Sequence, residues 1–468
     1  MIRDIVKLYL QEQEVLKKYQ VSRPELVNPK RNYNYQEILK HIGIDIDFGF
    51  LPQGYLNCYH QDFIVEEIGR DGQISTIEPG DSILPEPEGK KTLYADLVKV
   101  GLSTLEAVAS LAEKLDFDLK KINYAGIKDK VAITSQKISF NNIDWQKLKD
   151  KKIDGLFLKN YSWGKGVIEK GQILGNQFTI TVRTPVTLGQ GWLDQALDRV
   201  KDGFYNFYYL QRFGSPRLLS HKLGKLILEQ NYQSVIKTFL TEVGVQDVPL
   251  LNQLRQKVKD NFSNWPACEE IFSLLPYTFR LELEIVRYLK NKPEDYLGAL
   301  KTKTIMEQST LWVYAYASYL FNLHLSGLIN QQKVLPKELP LLLNPKYLTI
   351  KTYVDKLRED KIKDLKKSLI NIFGRSMILE KNVCLTKVPV KMLGAKIIEK
   401  AVVIAFELPT GAYATTFLTH LFSLYRGLPL PEWLDKTKHD SKNILGRGSV
   451  KKTEAVLGEY MFSHIVEE

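Results

Sequence analysis

The chain has 468 residues, with 65 Lys or Arg against 54 Asp or Glu and a formal net charge of +11. Hydrophobic residues make up 44% and charged residues 25%, which excludes a disordered or collagen-like chain, and the length fits about two or three domains. The three cysteines, Cys58, Cys268 and Cys384, lie far apart, which excludes a disulfide framework and a Cys-x-x-Cys metal site and favours a reducing compartment. No apolar run approaches the ~18 residues of a membrane span. The N-terminus carries Asp4, Glu12 and Glu14 and does not read as a targeting peptide. A soluble cytoplasmic protein is expected, and the basic excess points to a polyanionic partner, nucleic acid first.

In chain order, Asp62-Phe63-Ile64-Val65-Glu66-Glu67-Ile68 reads as a short strand bounded by polar residues. Ser103 and Glu106 have capping-box spacing, and Leu105, Val108, Leu111, Ala112 and Leu115 follow at helical intervals. Phe178, Ile180 and Val182 alternate with Thr179, Thr181 and Arg183, the pattern of a half-buried strand. Residues 220–330 are mainly helical in pattern, notably 281–289 and 311–325, and lysines crowd 351–400. Residues 402–408 read as a buried strand ended by Pro409 and Gly411, and a helix is expected over 414–425 with Phe417, Leu418, Leu421 and Phe422 on one side. The expected class is α/β of the α+β type, with α/β material at both ends and a largely helical inserted domain between them.

Phosphate-loop, dinucleotide and nucleophile-elbow signatures are absent, and the seven histidines show no metal-binding pairing, so no metal is expected. The segment Tyr124-Ala125-Gly126-Ile127-Lys128-Asp129-Lys130 stands out. A strand-like lead-in reaches a glycine, and one carboxylate then sits between two lysines, an arrangement that favours the ionised form. Such a carboxylate on a stiff turn can serve as nucleophile or base at an anomeric carbon. A solvated turn in which Asp caps a helix has the same pattern.

The wider context resembles the TruD family of pseudouridine synthases. Gly126-x-Lys128-Asp129-Lys130-x-Ala132-x-Thr134-x-Gln136 is similar to the family signature, and five further blocks resemble it in order. These are the block from Asp62 and Phe63 to Glu67, Gly175-Asn176-Gln177-Phe178 onward, Asn206 with Gln211-Arg212-Phe213-Gly214, Ser318 to Asn322, and Leu408-Pro409-Thr410-Gly411-Ala412-Tyr413-Ala414-Thr415. Together they span roughly residues 55–420.

The resemblance implies a pseudouridine-synthase catalytic domain with a mixed, largely antiparallel sheet, formed by 1–204 and 400–468, and an inserted TRUD-type domain over 205–399. It implies conversion of uridine to pseudouridine in RNA, typically uridine 13 of tRNA, without metal or organic cofactor; tRNA or another structured RNA is the implied partner, with no membrane, and no protein partner is implied. Asp129 would be the catalytic carboxylate, attacking C1′ or removing a C2′ proton. Phe63, Phe178 and Tyr413 would surround the extruded base, Asn176 would meet a uracil edge, and Lys128 would lie at the substrate. Arg212 would touch phosphate or ribose, or pair with an acid in a buried turn. Core packing remains the other reading of Phe178, and a sheet-capping aromatic the other reading of Tyr413. A relative that binds tRNA as a chaperone with little or no chemistry is the alternative function.

Three departures from the family pattern stand out. An ungapped count puts Asn57 where the family often has a Lys beside the catalytic Asp. Val388-Pro389-Val390-Lys391 replaces a Pro-Leu-Pro-Gly block, and Ala317 stands where Gln or Arg is common. The tail from 427 to 468 matches none of the family blocks and is left unplaced.

Overall fold

The computed structural model describes residues 2–27, 35–85, 89, 91–148, 153–244, 247–341, 350–374, 383–427 and 430–458. The chain forms two units, one made of Met1–Asp47 with Asn206–Thr386 and the other of Phe48–Tyr205 with Lys387–Glu468. The expected boundary at 204/205 lies next to the one at Tyr205/Asn206, whereas the first 47 residues and the boundary at 399/400 differ from the expectation. The first 47 residues go with the helical segment, and 387–399 go with the sheet, where Lys391–Ile398 supplies an edge strand.

The sheet unit is built on eleven strands. In chain order they are β1 (Gln53–Tyr55), β2 (Phe63–Gly69), β3 (Ile74–Ser75), β4 (Thr92–Val100), β5 (Ile122–Tyr124), β6 (Ile133–Asn141), β7 (Leu156–Gly164), β8 (Ile173–Arg183), β9 (Lys391–Ile398), β10 (Ala401–Pro409) and β11 (Ser423–Tyr425). The main path runs β9-β10-β8-β2-β6-β4-β7, with β1, β3, β5 and β11 as side branches. Pairing is antiparallel except for β2 with β6 and β1 with β11, so the sheet is mixed and largely antiparallel. The strand patterns read at 62–68, 178–183 and 402–408 are β2, β8 and β10.

Alternation sorts the side chains of this sheet between two faces. On one face, Phe63, Val65, Phe178, Ile180, Val182, Ile404 and Phe406 pack with Leu193, Ala196 and Val200 of the helix Gln190–Val200. Farther along the same face, Leu93, Ala95, Leu97, Ile138 and Phe140 pack under the helix Thr104–Lys114. That helix carries the expected box, Ser103 Oγ accepting from Glu106 N, although Leu105 is exposed rather than on the buried stripe.

The helix expected over 414–425 stops at Leu418. Phe417, Leu418, Leu421 and Phe422 are all buried as the pattern required. Beyond Thr419, however, the chain turns into β11, whose backbone pairs with β1 instead of continuing the helical ladder.

The opposite face of the sheet is closed by the C-terminal tail. Ile64, Val98, Val100 and Ile133 pack with Val450 and Leu457, the latter two at either end of the helix Lys451–Leu457. Beside them, Lys442 pairs with Glu66 at 2.6 Å and Glu78 at 2.9 Å. Arg183 makes a two-pronged contact with Asp62, Nε at 3.0 Å and Nη2 at 2.9 Å, and donates through Nη1 to the carbonyls of Asp435 and Thr437. These bonds assign the described part of the tail, unplaced by sequence, a structural place.

The helical unit centres on Ser220–Leu228 against the long helix Lys303–Asn330. Their approach requires Gly224, since a Cβ there would lie 2.1 Å from the carbonyl oxygen of Trp312. The helix patterns read at 281–289 and 311–325 fall within Arg280–Asn291 and Lys303–Asn330. Asn322 joins three segments of this unit, donating to the carbonyls of Ile42 and Tyr208 and accepting from Tyr208 N. Among the described residues, no helix is long and apolar enough to cross a membrane.

Replacing Arg183 by Met would leave the Asp62 carboxylate buried without its cation. Breaking a buried pair on one side costs about 3–5 kcal/mol, so urea unfolding of Arg183→Met should show a loss of that order. A loss under about 1 kcal/mol would mean that the pair does not anchor the tail.

Candidate active site

Between the two apolar clusters on the same sheet face runs a polar strip. Cα register aligns Lys99 with Thr134, Thr134 with Val65, Val65 with Phe178, and Phe178 with Phe406. One row along, Leu97 aligns with Gln136 and Glu67 with Asn176. Buried polar groups among apolar neighbours need partners, and here most of these find them in the turn at 126–131 between β5 and β6.

That turn is tied down at successive residues. Gln136 Nε2 donates to the Gly126 carbonyl at 3.0 Å. Lys128 N donates to Thr104 Oγ1 at 2.9 Å, and that hydroxyl donates on to Gln136 Oε1 at 2.8 Å. Lys99 Nζ donates to the Asp129 carbonyl at 2.8 Å and to the Leu102 carbonyl at 2.6 Å. Asn57 Nδ2 donates to the Val131 carbonyl at 2.6 Å. The outcome is a fixed backbone from which the Asp129 side chain projects at an exposed position.

The flanking lysines do not serve Asp129. Lys128, expected at the substrate, turns inward with its side chain nearly fully buried. Its ammonium pairs with Glu67 at 2.7 Å and donates to Asn176 Oδ1 at 2.6 Å. Lys130 points outward to Glu106 at 3.2 Å. The ammonium bonded to the Asp129 backbone is instead Lys99, with 0% of its surface exposed. Burial pushes it down to about 7, against the upward pull of Asp129 and Glu106.

Asn176 lies half-buried at the edge of the strip, its Oδ1 taken by Lys128 and its NH₂ unengaged among the described residues. Gly175 precedes it because β10 passes close by, and a Cβ there would lie 2.1 Å from the Leu408 carbonyl oxygen. Phe178 is only 6% exposed, stacked on Phe406 at 5.3 Å and edge-on to Phe63 at 6.3 Å. Phe63 is similarly buried, so both rings belong to the packed floor. Tyr413 is 47% exposed at the N-cap of the helix Ala414–Leu418, just after the positive-φ turn at Gly411.

Arg212 belongs to the helical unit, where its guanidinium lies over the Tyr208 ring at 5.1 Å, with no carboxylate partner among the described residues. Asn57 takes φ 61°, a left-handed conformation that Asn tolerates better than Lys. Among the described residues, no group of three or more His, Cys, Asp or Glu is placed to hold a metal ion.

Sequence reasoning missed Lys99, Glu67, Thr104 and Gln136. A signal for Lys99 was present: one lysine inside the apolar strand Leu97-Val98-Lys99-Val100. Glu67 and Gln136 were read as parts of motifs without a role.

The family model described as tRNA pseudouridine synthase D (TruD) matches residues 52–369. This chain belongs to the TruD family. A probable tRNA pseudouridine synthase D 1 of Methanocaldococcus jannaschii is 30% identical over 276 residues, 58% of this chain and 67% of its own. The probable tRNA pseudouridine synthase D of Methanopyrus kandleri is 30% identical over 270 residues, 57% of this chain and 64% of its own. The chain therefore spans about two thirds of these archaeal relatives. The tRNA pseudouridine synthase D of Aquifex aeolicus is 28% identical over 372 residues, covering 70% of this chain and 91% of its own. A crystal structure of a putative TruD from Methanosarcina mazei superposes with a TM-score of 0.62 at 25% identity, covering 82% of this chain and 98% of that one. The polar strip and its turn thus lie in a TruD fold, within the matched residues.

Phe178 offers a direct test of the floor. Phe178→Ala should cost about 3–5 kcal/mol of stability in chemical denaturation, because the ring fills a packed aromatic cluster. A loss below about 1 kcal/mol would show that the ring is not part of the core.

Proposed function

We propose that this chain isomerises uridine to pseudouridine in tRNA, at uridine 13, through Asp129. The observation that carries the reading is the turn. Asp129 is an exposed carboxylate on a backbone held at Gly126, Lys128, Asp129 itself and Val131. Positioning of this kind converts a weak nucleophile or base into an effective one.

In the reaction N1–C1′ breaks, uracil turns over, C5–C1′ forms, and the hydrogen lost from C5 is balanced by one gained at N1. Nothing is added or removed, so one carboxylate and a shaped pocket suffice. Asp129 acts at the ribose, either by attacking C1′ or by taking a C2′ proton. Leaving the stack costs the uridine a few kcal/mol. Tyr413 offers an exposed ring that can return ~1–3 kcal/mol by stacking. The Asn176 NH₂ can donate to a uracil carbonyl while Lys128 fixes its orientation. Phe63 and Phe178 shape the floor beneath. Arg212 supplies a cation suited to phosphate, and phosphate contacts make binding steeply salt-dependent.

Asp129→Asn keeps the shape of the side chain and removes its charge and nucleophilic oxygen. Pseudouridine formation should fall below detection while tRNA affinity stays within about 3-fold of wild type, because phosphate contacts dominate affinity. Turnover by the Asn variant, after deamidation has been excluded by mass spectrometry, would overturn the assignment of Asp129.

A further inference from the structure

Lys99 fills a place on the sheet where an apolar residue would be expected. Its neighbours Val98 and Val100 face the tail side, and its own side chain has no exposed surface. A buried ammonium loses its hydration, and the hydrogen bonds it makes in return go to two neutral carbonyls, of Leu102 and Asp129. A leucine or methionine would fill the same volume without that penalty. The carbonyls belong to two separate segments, the loop entering the helix Thr104–Lys114 and the turn that carries Asp129. Thr104 joins the same two segments again through Lys128 N. Of these two buried tethers, Lys99 brings the full charge, while the Lys130–Glu106 pair that also joins the two segments lies exposed.

We propose that Lys99 is a positioning residue for the isomerisation, clamping the Asp129 backbone from beneath. The proposal rests on the role of Asp129 proposed above. With no exposed surface, Lys99 Nζ does not touch RNA, so its effect falls on the chemical rate rather than on affinity. A catalytic group displaced by about 1 Å can lose about 100-fold in rate.

The charged groups facing the ammonium are Asp129 and Lys128 on the turn and Glu106 on the helix, with Glu67 of β2 beyond Lys128. Asp129 gives the largest attraction, Glu106 the next, and Lys128 repels. Because the Asp129 charge pulls the Lys99 titration up, removing the carboxylate must lower it further.

The test uses the full chain labelled with 13C at lysine Cε. One lysine resonance should titrate near 7 in wild type, move to lower pH in Asp129→Asn, and be missing from Lys99→Gln. In parallel, Lys99→Met and Lys99→Gln should bind tRNA within about 3-fold of wild type while the single-turnover rate falls about 100-fold. The proposal is overturned if no lysine titrates below about 9, or if the low-pH lysine ignores Asp129→Asn. It is equally overturned if folded Lys99→Gln keeps its rate within about 3-fold of wild type. Should both Lys99 variants fail to fold, the titrations of wild type and Asp129→Asn decide. Those titrations need no turnover, so failure of the proposed activity would be seen separately, as wild-type protein that makes no pseudouridine.

Discussion

A sheet face that buries a lysine, a glutamate and a glutamine beside leucine and phenylalanine is tolerable only if those groups find hydrogen-bond partners. Here one turn supplies most of them. Gln136 takes the Gly126 carbonyl, Lys99 takes the Asp129 carbonyl, and Glu67 takes the Lys128 ammonium. The same bonds that satisfy the strip immobilise the turn, so the exposed carboxylate of Asp129 gains a rigid base without further machinery. Local stability and the proposed chemistry therefore rest on one set of contacts.

The rest of the sheet unit serves that strip from both sides. The aromatic stack of Phe63, Phe178, Phe406 and Phe417 gives a firm floor on one flank, and the cluster under Thr104–Lys114 closes the other. Behind the sheet, Lys442 of the tail pairs with Glu66 of β2, and Arg183 of β8, held by Asp62, donates to the tail carbonyls of Asp435 and Thr437. In the helical unit, Asn206 and Asn322 spend their amides on backbone carbonyls, which makes these family-like asparagines builders of their own unit.

Strand alternation made β2, β8 and β10 legible, because a period of two survives in any half-buried strand. The site was less legible. Asp129 and Asn176 stood out through their motifs, and Lys128 read as a substrate contact, because nothing local reveals that Glu67, far back in the chain, takes its ammonium. The helix expected at 414–425 failed for a similar reason. Its apolar residues are buried as read, yet Ser423–Tyr425 pairs with Gln53–Tyr55, a partner invisible to a local window. Lys442 finds Glu66 at a separation of 376 residues, which explains why the tail resisted placement. At position 57, sequence comparison shows only a missing ammonium. The structure shows an asparagine suited to positive φ, bonded to the turn itself.

The most direct measurement is to incubate purified wild-type protein with an unmodified tRNA transcript and map pseudouridine along the RNA. The account predicts pseudouridine at uridine 13 without any change in RNA mass. A transcript that is bound tightly yet gains no pseudouridine at any position would contradict it.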